Sequence, residues 1–200
     1  MIFPYRYLIL FMWLVWAAYW WLAAYGAKST DRREPPASRL LHVLPLLLSG
    51  WLLWAERVPG TFLNERLFPW APWTFWAGAL LTAAGLCFAI WARVHLGRNW
   101  SGTVTIKQDH ELIVSGPYAI VRHPIYTGLL LALIGTAMAR GQWRGLFAVL
   151  IAWAALWRKL RVEERWMTER FGQQYEVYSR RVPALLPFVG GRKAAGSDAS

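Results

Sequence analysis

Charge is scarce in this chain: 16% of its 200 residues are Asp, Glu, Lys or Arg, against 56% hydrophobic. That ratio excludes an ordinary soluble domain. Cysteine is nearly absent, and the single Cys87 lies within an apolar run. An internal disulfide and a cysteine-based metal cluster are thereby excluded, and Cys87 is expected to serve packing. There is no internal repeat, no low-complexity tract before the Gly, Ala and Ser tail after Phe188, and no sign of a second domain. A glycine-rich dinucleotide fingerprint is missing, which speaks against a nicotinamide enzyme. The first apolar stretch lacks a small-residue cleavage site and is expected to be retained as a span.

What the chain does have is tryptophan, 15 of them, and a formal charge of +11. In a soluble protein that charge would suggest nucleic acid. Beside apolar spans its ordinary cause is the anionic headgroup, so no nucleic-acid partner is expected. A bilayer core of about 30 Å needs about 20 helical residues. Five stretches qualify: Tyr7 to Ala27, Leu40 to Ala55, Leu67 to Ala92, Pro124 to Ala139 and Gly145 to Trp157. The last two are short and separated only by Arg140, Gly141, Gln142, Trp143 and Arg144, which predicts a helical hairpin. Snorkelling of Arg144, Arg158 and Lys159, and continuation of the last helix beyond the bilayer, would make up its length. With five spans, seventeen of the 22 Lys and Arg residues fall on one side; the other holds Arg6, Arg57, Arg66, Arg140 and Arg144. The positive side is cytoplasmic, so the N-terminus is expected outside and the C-terminus inside. Trp13, Trp16, Trp20, Trp21, Trp70, Trp73 and Trp76 fit an interfacial belt or, alternatively, a lipid pocket.

The expected fold is an all-α integral membrane protein of about five transmembrane helices with a small cytoplasmic cap. Its parts are a three-span N-terminal region 1–92, a core 93–190 containing the hairpin 124–157 and a C-terminal helix, and a flexible tail 191–200. The cytoplasmic pieces Arg93 to His123 and the stretch from Arg158 bracket the hairpin and must lie close together. In the first, Thr103 to Ile106 alternates weakly like a strand, and Ser115, Gly116, Pro117 and Tyr118 form a turn. Pro124 then suits the first turn of a helix, whose N-terminus in a basic corner attracts a carboxylate. Arg122 beside a span also has the ordinary headgroup explanation. In the last helix Trp153, Trp157, Leu160, Glu164, Met167 and Phe171 fall on one stripe, placing an acid among apolar residues. Glu163 has two readings: a surface pair with Lys159 four residues earlier, or a carboxylate that holds ribose hydroxyls or an amine.

Two blocks at these positions resemble the isoprenylcysteine carboxyl methyltransferase family, relatives of the phospholipid methyltransferases. The first comprises His110, Leu112, Val114, Ser115, Gly116, Pro117 and Tyr118, then Arg122, His123, Pro124, Tyr126 and Gly128. The second comprises Glu163, Glu164, Phe171, Gly172, Tyr175, Tyr178, Arg181, Val182, Pro183, Leu186, Pro187 and Phe188. Together they span about residues 93 to 190. The resemblance implies an S-adenosylmethionine cofactor contacted by Lys107, His110, Leu112, Ile113, Tyr118, His123, Pro124 and Tyr126, with Glu163 closing the pocket. It implies no metal and a lipophilic or prenylated acceptor drawn from the membrane, expected to be a bacterial inner membrane.

The family commonly has arginine where this chain has Lys159, which keeps the charge but loses the planar fork that grips a carboxylate twice. Lys159 or Arg181 would orient a carboxylate acceptor, whereas an amine or thiol would need a base, for which Glu164 or a tyrosine is placed. A cation-π contact from Tyr118 or Tyr126 could favour the sulfonium. The leading expectation is therefore a carboxyl methyltransferase. Beside it stand a phospholipid-amine or small-thiol methyltransferase, and a reductase resembling sterol reductases or a non-catalytic protein. The lipid chain is expected to reach the site laterally, between the third span and the hairpin.

Overall fold

The computed structural model describes residues 3–24, 30–33, 35–59, 62–97, 105–107 and 112–187. Apart from one small ribbon the described elements are helical. In order they are α1 (Phe3–Ala24), β1 (Thr30–Arg33), α2 (Pro36–Trp54), a 3-10 turn (Phe62–Asn64), α3 (Pro72–Leu96) and β2 (Thr105–Lys107). Then follow α4 (Pro117–Ile120), α5 (Pro124–Arg140), α6 (Trp143–Phe171) and α7 (Gln173–Arg181). Helices α2, α3, α4 and α5 carry proline in their first turn, where the missing N–H costs no hydrogen bond. β1 and β2 pair antiparallel, close to the strand expected from alternation at Thr103 to Ile106.

Among the described residues three helices are long and apolar enough to cross a membrane: Tyr7–Ala24 within α1, Pro36–Trp54 and Pro72–Leu96. α5 is shorter. α6, at 29 residues, is about 43 Å long and exceeds the bilayer core, as its expected continuation requires. α3 starts later than the charge-free run suggested because Leu67 belongs to a loop: its N–H donates to Gly141 O at 2.9 Å.

The most intimate packing joins α3 to α5. Gly78, Thr82, Gly85 and Ala89 of α3 face Gly128, Ala132, Gly135 and Ala139 of α5. A Cβ added to Gly85 would sit 2.5 Å from Gly128 O, and one added to Gly135 would sit 2.5 Å from Gly78 O. The backbones therefore touch, as small residues allow in apolar surroundings. Thr82 and Thr136, both fully buried, donate to Gly78 O and Ala132 O at 2.8 Å and so carry no unpaired hydroxyl into the seam. This seam leaves no room for a lipid chain between α3 and α5.

α2 lies against the hairpin. Ser49 Oγ donates to Ala148 O at 2.8 Å, and Leu52, Leu53 and Ala148 form a buried cluster with Leu133 and Ala137 of α5 packed against it. Two sequence expectations need correcting. Cys87 is exposed, on the face of α3 turned away from the seam, and packs no core. The α6 stripe divides: Trp153 and Trp157 are exposed and stacked on each other, whereas Leu160 is buried and Glu164, Met167 and Phe171 are half-buried. The inward face is set by the alanines at 148, 152 and 155, too small for hydrophobic spacing to weight strongly. Trp13 also leaves the belt pattern, donating from Nε1 to Thr136 Oγ1 at 3.0 Å.

Candidate functional site

At the end of the bundle where α5 begins, Pro124 fixes the helix entrance and is fully buried. α4 precedes it and is itself entered through a turn at Gly116, whose φ of 59° lies in the left-handed region open to glycine, and whose missing side chain leaves room for the His95 ring. His95 Nε2 in turn meets Ser115 Oγ at 2.9 Å. α6 passes alongside and delivers Glu163 and Glu164 to the same place.

The two carboxylates flank His123. Its Nε2 lies 3.4 Å from Glu164 Oε1, and its Nδ1 lies 3.6 Å from Glu163 Oε2. Arg122 donates to Glu164 Oε1 through Nε at 2.8 Å and Nη2 at 2.5 Å. Tyr126 donates its phenol to Glu163 Oε1 at 2.5 Å and stacks parallel to His123, ring centres 5.5 Å apart. Lys159 Nζ stands 4.0 Å from Glu163 Oε1 and 5.3 Å above the Tyr126 ring, so the two residues four apart on α6 do pair, within the cluster and not on an open surface. Leu160, Leu156, Leu185 and the body of Tyr126 form the apolar floor.

The electrostatics are mutual. Burial would lower the His123 pKa, but the hydrogen bonds and charges of Glu163 and Glu164 outweigh it and hold the imidazolium above its ordinary 6.5. Burial would raise Glu164, yet His123 and Arg122 prevail and bring it down to about 2. Burial likewise opposes ionisation of Glu163, and His123, Lys159 and Tyr126 overcome it, leaving the pKa below the usual carboxylate range. The cluster is thus a charged network near neutral pH. Tyr118, buried beneath it, is pushed well up by burial and by Glu163 and keeps its proton; its carbonyl accepts from Tyr178 OH at 2.7 Å.

Of the residues singled out from sequence, the fold gathers His123, Pro124, Tyr126, Lys159, Glu163 and Glu164, with Tyr118 beneath. Leu112 and Ile113 are half-buried in the segment leading to Gly116. The backbone of Lys107 lies in β2; its side chain, and all of His110, fall outside the described residues. Arg181 is exposed at the end of α7, and among the described residues no hydrogen bond or ion pair joins it to the cluster. Arg122 was given the headgroup explanation and is instead the most heavily bonded side chain here. Thr127 was passed over, although a hydroxyl one turn into an apolar helix was a signal. A cavity of about 570 Å³ lined by Glu56, Arg57, Pro59, Asn64 and Gln142 lies at the opposite end of α5. The amides of Asn64 and Gln142 there are already bonded to the backbone at Val58 and Asn64 and to Arg144.

A helical bundle with three span-length apolar helices and a charged carboxylate–imidazole cluster at one end defines an integral membrane protein with a polar site. The sequence pattern of phospholipid methyltransferases matches residues 73–174, half of the chain, covering α3 to the start of α7. The chain belongs to that family. It is 35% identical over 101 residues to protein-S-isoprenylcysteine O-methyltransferase of Schizosaccharomyces pombe, covering 49% of this chain and 43% of that protein. To the Rattus norvegicus protein of the same name it is 34% identical over 162 residues, 77% of this chain and 55% of that one. A cobalt-zinc-cadmium resistance protein of Cupriavidus metallidurans is 30% identical over 135 residues, 66% of this chain and 61% of that one. The chain spans about half the length of the first two relatives.

Proposed function

We propose that this chain is an S-adenosylmethionine-dependent methyltransferase of the membrane, acting on the carboxylate of an isoprenylcysteine-like or other lipophilic acceptor. The observation that carries the reading is the His123, Tyr126, Glu163 and Lys159 constellation, of which His123, Tyr126 and Glu163 belong to the blocks that resemble the family. It fits the donor's chemistry. Such a donor presents an ammonium, a carboxylate and ribose hydroxyls. Glu163 is a quarter exposed, and among the described residues its Oε2 faces only His123, at 3.6 Å, so a carboxylate oxygen with more than one lone pair retains capacity for hydroxyl or ammonium donors. Tyr118, His123, Pro124, Tyr126 and Glu163 would hold the cofactor with Leu112, Ile113, Lys107 and His110. Bound there, it would supply an electrophilic sulfonium methyl carbon for in-line displacement.

The chain's own residues have the remaining tasks. The apolar floor of Leu156, Leu160 and Leu185 excludes water from one side. A carboxylate acceptor is ionised at neutral pH and asks for orientation, not a base. Lys159 would take that task, since its ammonium lies at the edge of the cluster, and the exposed position of Arg181 at the end of α7 favours Lys159 over it. Glu164, committed to Arg122, is a holding residue and would serve as base only for an amine or thiol acceptor. We further read α1, α2, α3, α5 and the first half of α6 as five spans, with the N-terminus outside and the site in a small cytoplasmic cap of a bacterial inner membrane. The distribution of Lys and Arg supports this.

Purified protein in lipid nanodiscs, given methyl-labelled S-adenosylmethionine with a farnesylated cysteine or with phosphatidylethanolamine, tests the reading. Label is expected in the base-labile methyl ester of the first. Label in the amine instead would reassign the acceptor, and label in neither would contradict the proposal.

A further inference from the structure

The segment after α7 does not trail away; it lies across the start of α5. Arg122 N–H donates to Pro183 O at 2.8 Å and His123 N–H to Ala184 O at 3.0 Å. Thr127 Oγ1 donates to Leu185 O at 2.7 Å. Arg122 Nη1 adds bonds to Ser179 O at 2.7 Å and Val182 O at 2.6 Å, satisfying carbonyls at the end of α7, where a cation is favoured. Leu185 is buried against Tyr126, Leu156 and Leu160.

These bonds fall on one turn. His123 is the N-cap of α5 and makes no side-chain cap bond. Ordinarily an N-cap side chain turns back to the first helical amides. The His123 ring instead points away from those amides and lies between Glu163 and Glu164, parallel to Tyr126 at an interplanar angle of 2°. The strap carbonyls of Pro183 and Ala184, bonded to the amides of Arg122 and His123, hold the backbone that carries this ring. On the other side, Arg122 pulls Glu164 against that ring.

We propose that residues 182–185 form a positioning strap for the methyl-donor site, and that Arg122 and Thr127 are positioning residues that anchor it. The inference rests on the methyltransferase reading above, and goes beyond it by assigning His123 and Tyr126 their geometry from a distant, apolar segment. Neither anchor touches the donor: Arg122 is committed to carbonyls and Glu164, and the Thr127 hydroxyl to Leu185 O.

Thr127→Val removes the hydroxyl and keeps the shape, while Thr127→Ser keeps the hydroxyl. Two readouts are taken on detergent-purified full chain: hydrogen exchange of peptides covering 119–128 and 179–187, and calorimetric affinity for S-adenosylhomocysteine. Thr127→Val is expected to speed exchange in both peptides and weaken affinity about tenfold, corresponding to one hydrogen bond; Thr127→Ser should stay within twofold of wild type. Arg122→Lys, which keeps the charge beside Glu164 but not the fork that reaches both α7 carbonyls, should resemble Thr127→Val. Faster exchange with unchanged affinity, or no change in either readout, would overturn the strap. If wild type itself fails to bind, the methyltransferase reading falls. The positioning claim falls with it, even if exchange confirms that the segment is held.

Discussion

The two ends of α5 are built alike and do different things. At one end a loop is held by Arg144, which donates to Gln142 Oε1 at 2.9 Å and to Ala55 O, while Leu67 N and Trp143 N bond across to Gly141 O and Glu65 O. At the other, the strap is held by Arg122 through Ser179 O and Val182 O. Each end uses a largely buried guanidinium as its anchor, Arg144 on one backbone carbonyl and an amide side chain and Arg122 on two backbone carbonyls and a carboxylate, since its fork has more donors than any other side chain. Only the second end adds two carboxylates, an imidazole, a lysine and a tyrosine. The difference is electrostatic: the first end satisfies backbone, whereas the second keeps several charges against the cost of burial. Such groups are retained where chemistry or binding uses them.

The largest effect should come from the seam that holds both ends in register. Gly85→Val would drive its Cβ and methyls into Gly128 O, and a loss of about 3 kcal/mol is expected, read as a collapse of the thermal transition in detergent. A folded, stable variant would show that α3 and α5 are not in backbone contact. Next in size, Glu163→Gln removes the negative charge beside His123 and leaves one acceptor oxygen where Tyr126 and His123 now face two. Affinity for S-adenosylhomocysteine should fall by about tenfold or more, the scale of a lost charged hydrogen bond, with only a modest change in thermal stability. The matched change at the other end, Arg144→Lys, should do the reverse: lower stability, affinity untouched.

A pH titration sharpens the contrast further. His123 has a folded pKa above 6.5, so its stabilisation is complete below that value and is lost as pH rises through the folded pKa. Glu164, at about 2 against an ordinary 4.5, stabilises fully above 4.5, and that contribution is lost as pH falls towards 2; Glu163 acts in the same direction. Stability should therefore be greatest between about pH 4.5 and 6.5. His123→Ala should flatten the alkaline limb, and an unchanged limb would place its cause elsewhere. The smallest effect is expected at Cys87: exposed and outside the seam, Cys87→Ala should shift stability by no more than about 0.5 kcal/mol.

Much of this end was legible in sequence, for physical reasons. Pro124 could only begin a helix, and the short stretch from Arg140 to Arg144 could only be a hairpin turn, closed in the fold by Gly141 at φ 63°. The seam was written too, in glycines seven apart at 78 and 85 and at 128 and 135, but glycine in an apolar run carries no hydropathy signal. Cys87 was misplaced because a charge-free span does not say which face meets lipid. Trp153 and Trp157 misled because size outweighs alanine in any periodic pattern, yet beside lipid the small residues face inward. Arg122 was hidden by its setting: an arginine next to a span has an ordinary cause, and only the fold brings Ser179, Val182 and Glu164 around it.

Calorimetric titration of the detergent-purified protein with S-adenosylhomocysteine, in wild type and in folded His123→Ala and Arg144→Lys variants, tests the central claim most directly. Saturable binding by wild type and Arg144→Lys, lost in His123→Ala, is the predicted result. Binding that survives His123→Ala, or none by well-folded wild type in detergent and in nanodiscs, would contradict the assignment of the donor site to this end of α5.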